Sequence, residues 1–269
     1  EVSVGRLFAA GVGPGLTLFV LVSLYIGGRC WLQPDLGPAL PPEERADWGQ
    51  KFRSLRAVIL PILIVTIVLG AIFGGFATAT EAAAIGVFGA LFATGVNGQL
   101  SWKVIHEASI ATMKLTALII WILFAAHAFS TAYTALGAQS LISDLMAYIP
   151  GGRWGALAFM LMVLFFFGMV LDPVGIMLIT LPVFLPVVQQ AGFDPIWFGI
   201  LFIIMMEVGY MTPPFGFNLF YLKGVAPPDV TMGDIYASVI PYVIVTLIGV
   251  LLIILFPGIA LYLPNLFYN

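Results

Sequence analysis

Residues 154–193 read WGALAFMLMVLFFFGMVLDPVGIMLITLPVFLPVVQQAGF. Two apolar runs, 154–171 and 173–193, meet at Gly168-Met169-Val170-Leu171-Asp172-Pro173 with no polar loop between them. Two separate spans joined in the ordinary way would show several polar residues there. The stretch therefore reads as a re-entrant hairpin with its tip at membrane depth, an arrangement tolerated only where protein or a water-filled cavity covers the tip. A charged Asp172 at the bilayer centre costs roughly 2.5–3.5 kcal/mol on insertion scales. A cation, a proton or the dipole of a helix starting at Pro173 has to compensate. Asp172 is a natural N-cap with proline at the first helical position. Capping alone is the plainer reading, and capping combined with ion binding is the one preferred.

A second interruption lies downstream, in Gly209-Tyr210-Met211-Thr212-Pro213-Pro214-Phe215-Gly216-Phe217-Asn218. The runs 195–206 and 208–222 are each too short to cross a bilayer, but together they make one interrupted span. Two consecutive prolines remove two backbone donors and clash with the preceding turn, and Thr212, before a proline, is biased away from helix. The chain is expected to unwind here and to free carbonyls near residues 208–212. A plain proline kink is the alternative. Broken helices near the bilayer midplane are where secondary transporters bind coupling ions and substrate. A hard cation such as sodium takes oxygen ligands, which these carbonyls, Thr212, Asn218 and Asp172 can supply.

Composition fixes the solvent around these breaks. The chain has 269 residues, 61% hydrophobic and 9% charged, against about 45–50% and about 25% in soluble domains. This excludes a soluble enzyme, a nucleic-acid binder and a disordered chain. A single cysteine, Cys30, excludes an intrachain disulfide, and two histidines give no sign of a zinc site. Further runs without ionisable side chains cover 7–28, 57–80, 82–102, 115–143 (apart from His127) and 235–269. They are continuously apolar rather than alternating, so the expected fold is an all-α membrane protein, not a barrel. It is a multi-span bundle with a re-entrant hairpin and a broken helix.

Arg29, Arg45, Lys51, Arg53 and Arg56 cluster in the loop 29–56, which the positive-inside rule places in the cytoplasm. Glu43 to Arg56 is expected to form a short amphipathic surface helix. The N-terminal segment lacks the basic region of a signal peptide and opens as if inside a larger protein. Four regions are expected: a scaffold span with its cytoplasmic loop (1–56), scaffold and connecting helices (57–150), the hairpin and broken helix of a transport domain (151–226), and a C-terminal span (227–269).

Other polar residues carry weaker signals. Thr78-Ala79-Thr80-Glu81 fits a capping box, so Glu81 is read first as a cap and second as a contact to the transport core. Glu207 either lines a cavity or pairs with another segment. His127 is expected to be a hydrogen-bonded packing residue rather than a proton relay. Trp31, Trp48, Trp102, Trp154 and Trp197 flank apolar runs as interfacial belt residues do.

Taken together these motifs resemble the C-terminal half of the large membrane subunit of tripartite ATP-independent periplasmic (TRAP) transporters. The matching stretches are Val2-Ser3-Val4-Gly5-Arg6-Leu7-Phe8 with Pro14-Gly15-Leu16, Ala77 to Ala84, Gly168 to Asp172, Gly192 to Gly199, and Gly209 to Phe220. They run over essentially the whole chain. The resemblance implies half of an inverted-repeat, elevator-type sodium symporter in the bacterial inner membrane, with no cofactor besides sodium as coupling ion. It also implies a small membrane subunit, a periplasmic substrate-binding protein and a small organic acid as partners. One sodium cluster is carried over as implied: Gly168, Asp172, Gly209, Thr212, Pro213, Gly216 and Asn218, with Glu81 and Glu207 in secondary places. Ala79 stands where the family usually has proline, and Pro173 where it often has a small polar or aliphatic residue. Phe220 to Pro227 looks like a branch labelled for mannitol or chloroaromatic compounds, a label that guides poorly to substrate.

Three other readings compete. An intramembrane aspartyl protease needs two aspartates, one in a Gly-x-Gly-Asp setting, and neither condition is met; no Ser/His pair, His-Glu-x-x-His or phosphate loop is present either. A non-transporting scaffold or channel subunit would have the same composition. So would an ion-coupled transporter of a related fold that works without a binding protein.

Overall fold

The computed structural model describes residues 3–38, 41, 45–138, 148–214 and 216–268. Its regular elements among these residues are helical, in accord with the expected all-α class. In chain order they are α1 (Val4–Leu32), a 3-10 turn (Pro34–Leu36), α2 (Trp48–Phe73), α3 (Ala79–Val96), α4 (Trp102–Ala135), α5 (Gly152–Gly168), α6 (Pro173–Gln190), α7 (Pro195–Tyr210), α8 (Phe217–Val225), α9 (Met232–Leu255) and α10 (Gly258–Phe267). Five of them, α1, α3, α4, α6 and α9, are long and apolar enough to cross a bilayer. A sixth span is added if the two segments of α2, Trp48–Leu55 and Val58–Phe73, which meet at 41°, count as one. The chain divides into two compact units. One holds Arg6–Tyr25 and Thr116–Asn269, the other Ser3–Gly5 and Ile26–Leu115.

The smaller unit is built on α2 against α3. Gly89 and Gly86 let the helices approach: a Cβ on Gly89 would lie 2.9 Å from Ile64 Cγ1, and one on Gly86 would lie 3.5 Å from Val68 Cγ2. Small residues at a helix interface are the usual device where lipid removes any hydrophobic drive between helices. Of the expected surface helix over 43–56, Glu43 and Glu44 lie outside the described residues; its later part, Trp48–Leu55, is helical and meets the apolar segment Val58–Phe73 at 41°. Pro61 lies inside the second segment without ending it.

In the larger unit α7 is the most buried helix, with all but a few residues from Ile196 to Tyr210 shielded. A helix apolar all round belongs inside a bundle. α5 lies along it, and α6, α8, α9 and α10 complete the surround. The turn between α6 and α7 is closed by rings: Phe193 stands 5.1 Å from Trp154 and 5.4 Å from Trp197, centre to centre. Trp197 departs from the expected membrane belt. It is 2% exposed, and its indole N–H donates to the Ile253 carbonyl at 3.0 Å. Flanking position alone cannot separate a belt tryptophan from a core one, because both need a polar partner for the N–H. Trp31, Trp48 and Trp102 are widely exposed and Trp154 less so.

In α4, His127 corrects another expectation. Its side chain is exposed, and the bond it takes part in is made by its carbonyl, which accepts from Thr131 Oγ1 at 2.8 Å. The 34 residues of α4 give about 51 Å at 1.5 Å per residue, well beyond the ~30 Å of hydrocarbon. Its first turns, with Lys103, His106, Glu107 and Lys114, are the portion suited to water.

Candidate functional site

Helix α5 stops at Gly168, and the chain takes four residues, 169–172, to turn into α6. Within this tip the Met169 N–H is shared between the Phe165 and Phe166 carbonyls, and the Val170 and Leu171 N–H groups both donate to Phe167. Among the described residues these backbone bonds leave the carbonyls of Gly168, Met169, Val170 and Leu171 unused. Asp172 then caps α6: its Oδ1 accepts from the Val174 and Gly175 N–H groups, both at 3.0 Å. Both N–H bonds fall on one oxygen, so Oδ2 is left for another partner. The side chain is exposed in this chain. Capping, the plainer reading of Asp172, is therefore present.

The same device opens α7. Asp194 Oδ1 accepts from Ile196 N–H at 2.7 Å and Trp197 N–H at 3.1 Å, with Pro195 at the first position. The two Asp-Pro caps share their backbone chemistry, but Asp172 sits on the hairpin tip and Asp194 on the ring-packed turn beside Phe193.

α7 ends at Tyr210. The Met211 N–H reaches back to Glu207 and the Thr212 N–H to Gly209, and Pro213 and Pro214 offer no donor at all. Thr212 Oγ1 donates to the Val208 carbonyl at 2.7 Å, so its lone pairs remain as acceptors. Helix resumes at Phe217 after Gly216, whose φ of +49° is a left-handed conformation that glycine adopts without steric cost. Phe215 lies outside the described residues. Two ties cross the interruption. Asn218 Nδ2 donates to Glu207 Oε1 at 2.7 Å, and the Tyr236 hydroxyl at the start of α9 donates to the Pro214 carbonyl at 3.2 Å. Of the two readings offered for Glu207, pairing with another segment is the one seen. Tyr236 carried no sequence signal of its own. The nearest was the Thr231-x-x-Asp234 capping box that fixes the start of its helix.

The end of α5 and the last turn of α7, some forty residues apart in sequence, meet backbone to backbone next to the hairpin tip and the interruption. A Cβ on Gly209 would fall 2.6 Å from Gly168 Cα and 2.8 Å from the Phe165 carbonyl oxygen; one on Gly168 would fall 2.9 Å from the Met206 carbonyl oxygen. Both glycines are buried. Asp172 lies four residues from one side of this contact and Thr212 three from the other. The Tyr210 side chain, at the end of α7, is buried. Thr212, Pro213 and Asn218 are half-buried, and Gly216 is buried.

Among the described residues no three His, Cys, Asp or Glu side chains come together. The donors on offer are oxygens: Asp172 Oδ2, Thr212 Oγ1, the Asn218 amide oxygen and the free tip carbonyls. That is the donor set of a hard cation. Glu81 belongs to the other unit and does what its spacing suggested. Its Oε2 accepts from the Thr78 N–H and hydroxyl, each at 2.8 Å, while its own N–H donates to Thr78 Oγ1 at 3.3 Å.

The sequence that builds this arrangement has relatives. The model of the DctM component of tripartite ATP-independent periplasmic transporters matches residues 1–259. The chain belongs to the DctM family. Similar curated members include the ectoine TRAP transporter large permease protein of Halomonas elongata, 30% identical over 99% of this chain and 61% of the relative. The C4-dicarboxylate TRAP transporter large permease protein of Pseudomonas aeruginosa is 31% identical over 98% and 61%. The ectoine/5-hydroxyectoine large permease of Ruegeria pomeroyi is 33% identical over 99% and 61%. The chain thus spans about three fifths of the length of these relatives. With these relatives and its apolar spans, this DctM chain is a multi-pass inner-membrane protein, and the relatives are named as large permease proteins.

Proposed function

We propose that this chain forms part of the large permease subunit of a sodium-coupled, binding-protein-dependent importer of small organic acids. The observation that carries the reading is the backbone contact of Gly168 with Gly209. It sets a hairpin tip with free carbonyls and a capped aspartate beside a helix interruption with oxygen ligands of its own. Relatives are named for C4-dicarboxylate, ectoine, 2,3-diketo-L-gulonate and sialic acid, which supports an organic solute and leaves its identity open. In this proposal sodium is cargo, bound near Gly168, Asp172, Gly209, Thr212 and Asn218, with Pro213 and Gly216 shaping the interruption. Residues 151–226 are the moving part of an elevator, 1–56 and 57–150 its scaffold and connections, and 227–269 the closing span. The basic loop 29–56 faces the cytoplasm. A small membrane subunit and a periplasmic binding protein complete the machine.

The test is uptake of labelled organic acids into proteoliposomes carrying the complete transporter, under an inward sodium gradient and with purified binding protein outside. Uptake that needs both is the expected result. Sodium-driven uptake without the binding protein would turn the reading toward a binding-protein-independent transporter. No flux of any organic acid with all parts present would turn it toward a non-transporting scaffold.

A further inference from the structure

Asn218 is a carboxamide, and either end of it can face a given neighbour unless that neighbour decides. Glu207 decides, because an ionised carboxylate only accepts hydrogen bonds. With the Glu207 oxygen 2.7 Å away, the Asn218 NH2 has to point at it, and the amide oxygen is turned to the opposite side. The bond joins the last turn of α7 to the first turn of α8, across the prolines, and both side chains retain solvent exposure. Thr212 is handled alike: its hydroxyl hydrogen goes to the Val208 carbonyl, one residue along the same turn. Glu207 thus takes one of the two Asn218 N–H donors and fixes which way the amide faces, while Val208 takes the only hydrogen of the Thr212 hydroxyl and leaves its lone pairs as acceptors.

We propose that Glu207 is a positioning residue: its charge, rather than any contact of its own with cargo, holds the Asn218 amide oxygen toward the cation. This rests on the sodium site proposed above. Replacing Glu207 by glutamine keeps the size and an acceptor but adds a donor, so the carboxamide of Asn218 is no longer forced one way. Replacing it by alanine removes the tie altogether.

The experiment is a double-mutant cycle on the complete transporter in proteoliposomes, reading the sodium concentration for half-maximal uptake and the maximal rate separately. Glu207→Gln and Glu207→Ala are each expected to raise the half-maximal sodium concentration roughly tenfold, the scale of one hydrogen bond to a charged group. The KM for the organic acid at saturating sodium should stay within about twofold, well under the tenfold that one such bond carries. In an Asn218→Ala background, Glu207→Ala should add nothing further. Equal and independent effects of the two substitutions would overturn the proposal, as would full sodium affinity in Glu207→Gln. Loss of protein from the membrane in Glu207→Ala is met by Glu207→Gln, which keeps the shape of the tie. If wild-type uptake shows no sodium dependence, the sodium site itself fails. The positioning role then falls with it, distinguishably from a sodium-dependent wild type with uncoupled mutants.

Discussion

Asp172 caps α6 and, in the proposed site, supplies a charge, and chemistry can separate the two. As an N-cap it is replaceable by asparagine, which caps about as well, whereas alanine costs about 1 kcal/mol. As a charge it is replaceable by neither. Asp172→Asn is therefore expected to keep the thermal stability of the purified protein while weakening sodium dependence of uptake, and Asp172→Ala to lose both. Asp194, with the same two N–H bonds and the same following proline, serves as the internal control. Asp194→Asn should leave stability and sodium dependence alike. An equal loss of sodium dependence in Asp172→Asn and Asp194→Asn would show that the hairpin aspartate has no special part. Gly209→Ala tests the close contact. A methyl group 2.6 Å from Gly168 Cα has only backbone to push against, and overpacking of this kind costs about 1–3 kcal/mol. A lower melting temperature is the expected reading, and an unchanged one would refute the contact.

At the scale of elements, caps and breaks were legible in the residues and pairings across them were not. Thr78-x-x-Glu81 announced its capping box, Asp172-Pro173 its helix start, and Pro213-Pro214 with Gly216 the interruption, because each acts on backbone within a turn of itself. The partner of Glu207 lies eleven residues on, beyond an unwound segment whose path no local rule predicts. Trp197 and His127 depart from their local signals for a related reason. Whether a residue at a helix flank or on an apolar stretch is covered depends on neighbours brought by other parts of the chain. Two predictions belong here. Glu81→Ala should lower stability by about 1 kcal/mol, the worth of a cap, with the sodium concentration for half-maximal uptake unchanged. Replacing Pro213 and Pro214 together by alanine restores two N–H donors and removes the clash that ends α7. Helix content by circular dichroism should rise while sodium-driven uptake falls at least about tenfold, a change of about 1.4 kcal/mol.

Over the whole molecule, burial is uneven. α4 buries only Ala126 and Tyr133 and α3 only Ala82, whereas α7 is shielded along nearly its full length. Local opening is cheapest where few side chains are packed. Amide exchange in detergent should therefore be slowest along α7, beginning with Ile200 to Val208, and faster along the polar first turns of α4. Uniform protection across the two would contradict the packing described. The hairpin reading rested on a short connection, and the broken helix on two prolines. Both are local signals, yet their meeting at Gly168 and Gly209 is a property of the folded unit and was visible in the sequence only through the family it resembles.

That meeting leaves no side chain as a spacer between the end of α5 and the last turn of α7. The two rims of the prospective cage are therefore set by a main-chain joint, and neither can be tuned alone. In the proposed site the parts open to replacement are then Asp172, Thr212 and Asn218, the trim around a hinge-pin that cannot be widened.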